Sequence, residues 1–425
     1  MIYIYTGFTA KTACSCHFIQ NRSIDDIKKF ELEPASFINA EISSQVVTAS
    51  FLGISREAIF HPKLGCTLVS EKEVEDLEDR SASQVMLSSQ QGVLPSDLGK
   101  YPKLASTVQQ AFEEPFEDKA VNTRAVIVIK DSIVIAEQYG EGFTAQTPQM
   151  GWSMTKSITN ALIGILVKEG RLNVKDAAPI DDWYDSEDDP RQGITIDHLM
   201  RMSTGLEFVE EYDKASTVNQ MLWTKADAAK VAYSQPLAHP IDSEWYYSSG
   251  TTNILSHIIR KQFTDDQSYL AFPFNALFNK IGMKNVFLET DANGTYVGSS
   301  LMYASPRDWA RFGLLFLNDG VWNGERILPE GWVEYSKTPT STLDPYDFYG
   351  AQWWLNAKEE PNADMGFPRK WDGVPKDAYY ASGFEGQTVM VIPSLDMVIV
   401  RLGQTLDRSA WDIGDFAAKV IEVVE

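Results

Sequence analysis

The chain has 425 residues, 44% of them hydrophobic and 23% charged, the ordinary balance of a globular protein long enough to bury a sizeable core and to hold more than one domain. Its 37 basic and 59 acidic residues give a formal net charge of -22, which argues against nucleic acid and anionic membrane surfaces as partners, since both would repel it. No run of 18 apolar residues occurs, so no membrane-spanning helix is expected.

In chain order, Met1-Ile2-Tyr3-Ile4-Tyr5 is too short for a secretory leader and has no basic residues before it. That leaves a cytoplasmic protein or a leader upstream of this numbering. The three cysteines, Cys14, Cys16 and Cys66, all fall in the first 66 residues. Their absence from the rest suits an exported protein, so a periplasmic or secreted location is expected, with a cytoplasmic one as the alternative. One disulfide plus a third thiol fits the count. Metal binding by Cys14, Cys16 and His17 is the other reading, but it lacks a second ligand pair, and no metal or other cofactor is expected. Residues 1–95 read as an N-terminal extension and linker, with strands at Ser43 to Leu52 and Leu64 to Ser70 and a polar stretch from Glu71 to Gly99.

Residues 96–425 read as the main domain. A helix is expected over Leu104 to Phe112. The apolar runs Ala125 to Lys130 and Ile133 to Ala136, separated by Asp131-Ser132, give a hairpin signal. The acidic run Asp181 to Asp189 lacks EF-hand spacing and reads as a solvated loop. Helices are expected over Ile196 to Met202, Ala226 to Tyr233, Thr252 to Lys261 and Pro306 to Leu317, so the middle of the chain is mostly helix. Thr388 to Ile392 and Met397 to Leu402 then read as strands, and Trp411 to Val424 as a last helix. Strands near both ends and helices between them predict an α+β fold. One antiparallel sheet, flanked by helices, would come from the two ends, with a mainly helical lobe over about residues 160–300.

The sharpest chemical pattern is Ser153-Met154-Thr155-Lys156, the one S-x-x-K in the chain. Ile158, Leu162, Ile165 and Leu166 after it follow helical spacing, and Gly170 stands where a helix commonly stops. Residues three apart on a helix share a face, so the Ser hydroxyl and the Lys amine can meet. A Ser hydroxyl is a poor nucleophile until a neighbouring base takes its proton. Burial and the positive end of a helix both favour the neutral amine that such a base requires.

Two further stretches carry chemistry. Tyr246-Tyr247-Ser248-Ser249-Gly250 precedes an expected helix, and a Tyr beside a Ser–Lys pair can relay a proton to a leaving group. Ser382-Gly383-Phe384-Glu385-Gly386-Gln387 precedes a strand, and its glycines let a backbone N–H approach a ligand closely. There is no G-x-S-x-G elbow and no H-E-x-x-H, which argues against an α/β-hydrolase and a zinc hydrolase. His198 reads as a structural residue on an amphipathic helix.

S-x-x-K, S-D-N and K-T-G together mark β-lactamases and penicillin-binding proteins. The three stretches, in this order, resemble that superfamily. The branch they are most similar to contains class C β-lactamases, family VIII-type carboxylesterases and 6-aminohexanoate-dimer hydrolases. The resemblance covers about residues 100–425, through Gly151 to Gly170, Thr195 to Leu199, Ser203 to Leu206, Tyr247 to Asn253 and Gly298 to Leu315. It implies a β-lactamase/transpeptidase-like fold. By position, Ser153 would be the nucleophile, Lys156 its base, and Tyr247 the tyrosine of the family's Y-x-N, with Ser249 in place of the Asn. The N–H groups of Ser153 and Phe384 would form the oxyanion hole, and Ser382 and Gly383 would line the substrate site. Ala381 stands where relatives carry Lys or His, so the cation that binds a substrate carboxylate is missing from that position; Arg307, Arg311 or Lys376 could replace it from elsewhere. Residues 1–70 resemble the N-terminal extension of the dimer-hydrolase-like members, which implies that Cys14 pairs with Cys66 and Cys16 is the third thiol.

The expectation is a serine hydrolase cleaving a small ester or linear amide through an acyl-Ser153 intermediate. The alternatives are a β-lactamase or D-alanyl-peptidase, and a catalytically inactive binding relative. Intact Ser153, Lys156 and Tyr247 argue against the last of these, since a binder does not need all three.

Overall fold

The computed structural model describes residues 1–71, 77, 94–361 and 370–425. The chain forms two compact units, one from Met1–Met86, Arg171–Pro273 and Phe287–Tyr303, the other from Leu87–Gly170, Phe274–Val286 and Ala304–Glu425. Most of the polar stretch from Glu71 to Gly99 lies outside the described residues.

The second unit holds a six-stranded antiparallel sheet, ordered Trp354–Leu355, Tyr379–Gly383, Gln387–Ile392, Met397–Gly403, Thr123–Lys130 and Ile133–Tyr139. This is the sheet from two distant stretches that the sequence predicts. Every residue of Gln387–Ile392 and Met397–Gly403 is buried, which is why both read as continuous apolar runs rather than alternating ones. Each fully buried Val or Ile there contributes roughly 1.5–3 kcal/mol. The Pro306–Leu317 helix packs on these strands, and a side-chain carbon on Gly313 would come within 2.6 Å of Val398, so only glycine permits that approach. The helix starts after Ser305, whose hydroxyl accepts from the Asp308 N–H at 3.3 Å, with Pro306 in its first turn.

In the first unit, the Ile2–Phe18 helix packs on a four-stranded antiparallel sheet of Asn39–Ser43, Val46–Phe51, Ile54–His61 and Gly65–Leu68. The sequence reading saw neither this helix nor Ile54–His61. It also joined Asn39–Ser43's end to Val46–Phe51 as one strand, although the chain turns between them. The helix escapes a pattern search because Thr, Gly, Ala and Ser fill its buried face together with Cys14 and Cys16, leaving no apolar stripe. Gly7 lies against Trp223, where a side-chain carbon would meet the Trp223 carbonyl at 2.3 Å. Residues 1–68 thus fold onto the helical segment of the same unit, which contains Ile196–Arg201, Thr217–Trp223, Ala228–Tyr233 and Ser249–Arg260.

Cys14 and Cys66 form a disulfide spanning 52 residues, and Cys16 is buried outside it. The disulfide consumes Cys14, which removes the metal-binding alternative for Cys14, Cys16 and His17. Beside it, the buried Lys11 and Glu289 pair, and Glu289 also accepts from the Ser15 hydroxyl and the Cys66 N–H, each at 2.7 Å. A loop of this length implies about 4 kcal/mol of stabilisation in the chain-entropy picture. The Cys14→Ala/Cys66→Ala double variant should therefore unfold at a clearly lower denaturant concentration; an unchanged midpoint in chemical denaturation contradicts this.

Several helices begin later or earlier than the apolar period suggests, because a cap sets the start. Asp227 caps Ala228–Tyr233, Asp412 caps Ile413–Val424, and Ser248 caps Ser249–Arg260. His198 is structural, closing a capping box with Thr195. Among the described residues no helix is long and apolar enough to cross a membrane.

Candidate active site

Ser153 sits in a short 3-10 turn, Trp152–Met154, that runs straight into the Thr155–Lys168 helix. This brings Lys156 one turn on, and its Nζ donates to Ser153 Oγ at 3.0 Å. Lys156 is 2% exposed, whereas Ser153 is half-buried. The helix is held by buried polar contacts. The Ser157 hydroxyl donates to the Gln352 carbonyl at 2.8 Å, and the Asn160 amide to the Ala351 carbonyl at 2.8 Å, while Trp332 Nε1 donates to Asn160 at 3.0 Å. A side-chain carbon on Gly164 would collide with the same Trp332 at 2.6 Å.

The turn before the nucleophile candidate is fixed just as tightly. Trp152 has φ +47°, a left-handed conformation that bulky residues seldom adopt. A side-chain carbon on Gly151 would lie 2.4 Å from Trp309, and one on Gly383 would lie 2.1 Å from the Gly151 carbonyl oxygen. Glycine at both positions therefore lets the end of the Tyr379–Gly383 strand run directly beside the Ser153 turn. The strand stops at Gly383, paired with Gln387, and Phe384–Gly386 forms the hairpin link. The Phe384 ring meets Trp152 edge-on at 5.7 Å, and Trp152 Nε1 donates to Glu385 at 3.2 Å. Ser153, Lys156, Ser382, Gly383 and Phe384 are thus assembled in one unit. Ala381 is buried on that strand opposite Val389.

Arg401, on the Met397–Gly403 strand, lies beneath the hairpin link and is completely buried. Burial, and then the charge of Arg124, lower its guanidinium to about 9, so it is cationic at neutral pH. Of the cations the sequence offers in place of a basic residue at 381, Arg307 already makes a two-pronged bond to Glu137, at 3.0 and 2.5 Å, and Arg311 pairs with Asp308 at 3.4 Å. Lys376 is exposed. Burial raises the Glu137 carboxyl, but the hydrogen bonds from Arg307 and Tyr139 outweigh this and hold it below the usual carboxylate range.

Tyr247 belongs to the other unit. It is half-buried, tilted against Trp245 at 6.3 Å, while its neighbour Tyr246 is exposed. Ser249, in the Asn position of Y-x-N, donates through both its N–H and its hydroxyl to Glu210. Tyr212 donates to the same carboxylate at 2.7 Å. Glu210, Tyr212 and Arg401 belong to no motif, and the sequence reading passed over all three.

Among the described residues no group of three or more His, Cys, Asp and Glu side chains could hold a metal. Comparison with known proteins agrees with the fold. A curated relative, 6-aminohexanoate-dimer hydrolase of Paenarthrobacter ureafaciens, is 24% identical over 307 residues, covering 67% of this chain and 73% of its own. A Bacillus anthracis protein provisionally assigned as a 6-aminohexanoate-dimer hydrolase superposes with a TM-score of 0.61 at 22% identity, covering 79% of this chain and 88% of that one. EstCE1, a hydrolase with promiscuous acyltransferase activity, superposes with a TM-score of 0.58 at 13% identity, covering 76% and 97%. Residues 108–419 match the Beta-lactamase family, and with that span covering most of the chain, the protein belongs to the β-lactamase family and is a serine hydrolase of that superfamily.

Proposed function

We propose that the chain hydrolyses a neutral ester or small linear amide by acyl transfer through Ser153. The observation that carries this is the buried Lys156 amine, 3.0 Å from the Ser153 hydroxyl. In this reading Lys156 Nζ takes the proton from Ser153 Oγ as the oxygen attacks the substrate carbonyl carbon. The carbonyl oxygen becomes an oxyanion and accepts from the N–H groups of Ser153 and Phe384. Collapse breaks the bond to the alcohol or amine, which leaves with a proton delivered through Tyr247. Water then cleaves acyl-Ser153 by the reverse proton route. Tyr247→Phe should lower the rate roughly 10² to 10⁴-fold, the usual range for a lost acid or base. If Tyr246→Phe does the damage and Tyr247→Phe is silent, the role belongs to Tyr246.

The substrate class rests on charge. Ala381 replaces the family's cation, and Arg307 and Arg311 are engaged by Glu137 and Asp308. A hydrogen bond to a charged group is worth roughly 1.5–3 kcal/mol, so a site without one should not favour carboxylate substrates. The two dimer hydrolases among the relatives, named for an amide of 6-aminohexanoate, support the amide side of this reading; a linear dimer of that amino acid keeps a free carboxylate, so their names do not support the preference for neutral substrates. The measurement is kcat/KM for ester pairs differing only in a free or a methylated carboxylate. The methylated member should be turned over faster. Preference for the free acid, or cephalosporin turnover rivalling the best ester, would favour a β-lactamase or peptidase instead. We also propose an exported location, periplasmic or secreted, which the Cys14–Cys66 disulfide supports, because such bonds persist in oxidising compartments.

A further inference from the structure

We propose that Arg401 is the positioning residue of the oxyanion hole, clamping the Phe384–Gly386 link so that the Phe384 N–H points at the developing oxyanion. The inference rests on the acyl-transfer reading and adds to it a residue that no motif marks.

Two residues of this link have left-handed backbone, Glu385 at φ +64° and Gly386 at φ +80°. Glycine adopts that conformation freely and glutamate does not, so the surroundings must hold it there. Arg401 does so: Nη1 donates to the Glu385 carbonyl at 3.0 Å and to the Gly386 carbonyl at 3.2 Å. The other side of the guanidinium is tied to a distant part of the sheet. Nη2 donates to the Val121 carbonyl at 2.6 Å and to the Thr123 and Thr405 hydroxyls at 2.9 and 2.7 Å, and Nε donates to Thr123 at 3.2 Å. The indole of Trp411 covers it at 4.8 Å.

These hydrogen bonds all end on neutral oxygens. A surface arginine would exchange such partners for water at little cost. A fully buried one keeps them, because losing any would leave a charge in a low-dielectric interior. The planar fork makes the clamp directional, since its donors fix two successive carbonyls relative to Thr123 and Val121. The local sequence accommodates it: a side-chain carbon on Gly386 would meet Nη1 at 2.7 Å, and one on Gly403 would meet the guanidinium carbon at 2.4 Å. Phe384 occupies the position between Gly383, packed on the Gly151 carbonyl, and Glu385, held by Arg401. With both neighbours fixed, its N–H has one orientation.

The test compares an ester with its thionoester, in which sulfur replaces the carbonyl oxygen and accepts hydrogen bonds poorly. Wild type should prefer the oxygen ester strongly. Arg401→Met and Arg401→Lys should lower kcat by about 10-fold to 10³-fold, the span around loss of one oxyanion donor, with little change in KM. The oxygen-over-sulfur preference should shrink with kcat, at least tenfold. A purely structural loss would lower both rates equally and leave that preference intact. Lysine keeps the charge but not the fork, so recovery of the preference in Arg401→Lys would also overturn the positioning role. Thr405→Ala removes one anchor of the guanidinium and gives a milder change in the same direction, should the Arg401 variants not fold. No oxygen preference in wild type would overturn the acyl-transfer reading itself. A wild-type preference that survives in Arg401→Met, or in Thr405→Ala where only that variant folds, overturns the role of Arg401 alone.

Discussion

Ser153→Ala is expected to abolish turnover and covalent labelling by a fluorophosphonate while leaving the fold intact. The hydroxyl is the nucleophile of the proposed reaction, and without it neither attack nor an acyl intermediate is available. Loss of a nucleophile disables the whole catalytic unit, so the fall in kcat should be on the order of 10⁴-fold or more. The structural effect should be small. Ser153 is half-buried on a turn held by Gly151, Trp152 and Gly383, and its hydroxyl receives the Lys156 hydrogen bond. One neutral hydrogen bond is worth about 1 kcal/mol net. Near-UV circular dichroism should be unchanged. A variant that still shows a burst of ester cleavage would remove Ser153 from the mechanism.

Lys156→Ala should be nearly as damaging, and Lys156→Arg should not restore activity. The base must accept a proton from Ser153 Oγ, and a guanidinium stays protonated at neutral pH. The alanine variant also leaves a cavity where a long side chain was 2% exposed, so some loss of stability is expected along with the loss of rate. Comparing acylation by an activated ester in the three proteins separates the two effects. Full acylation in a folded Lys156→Ala protein would show that another group deprotonates Ser153.

The Ser153–Lys156 contact was legible in the sequence because it is local: a helix places residues three apart on one face whatever the rest of the fold does. The same holds for the hairpin of Thr123–Lys130 and Ile133–Tyr139 and for the Pro306–Leu317 helix, where period, turn residues and caps agree. The Cys14–Cys66 pairing came from the resemblance of the flanking segments to known relatives, since three cysteines alone leave the pairing open. The Ile2–Phe18 helix was missed because small polar residues fill its buried face, and burial of Thr or Ser has no periodic signature.

What the sequence determined by itself was therefore the Ser153–Lys156 contact and the strands and helices with strong local patterns. The tertiary structure decided everything whose partners are far apart in the chain. Glu289 reads as an ordinary acidic residue until Lys11, 278 positions earlier, is brought against it. Arg401 reads as a charge at the end of an apolar strand, and only the approach of Val121 from 280 residues away and of the turn after Phe384 makes it a clamp. Gly151 and Gly383 likewise look like common turn residues, because the close approach that requires glycine at both exists only once the strand is laid beside the Ser153 turn. The physical reason is the same in each case. Local periodicity encodes which face of an element is buried, but not which distant group it is buried against.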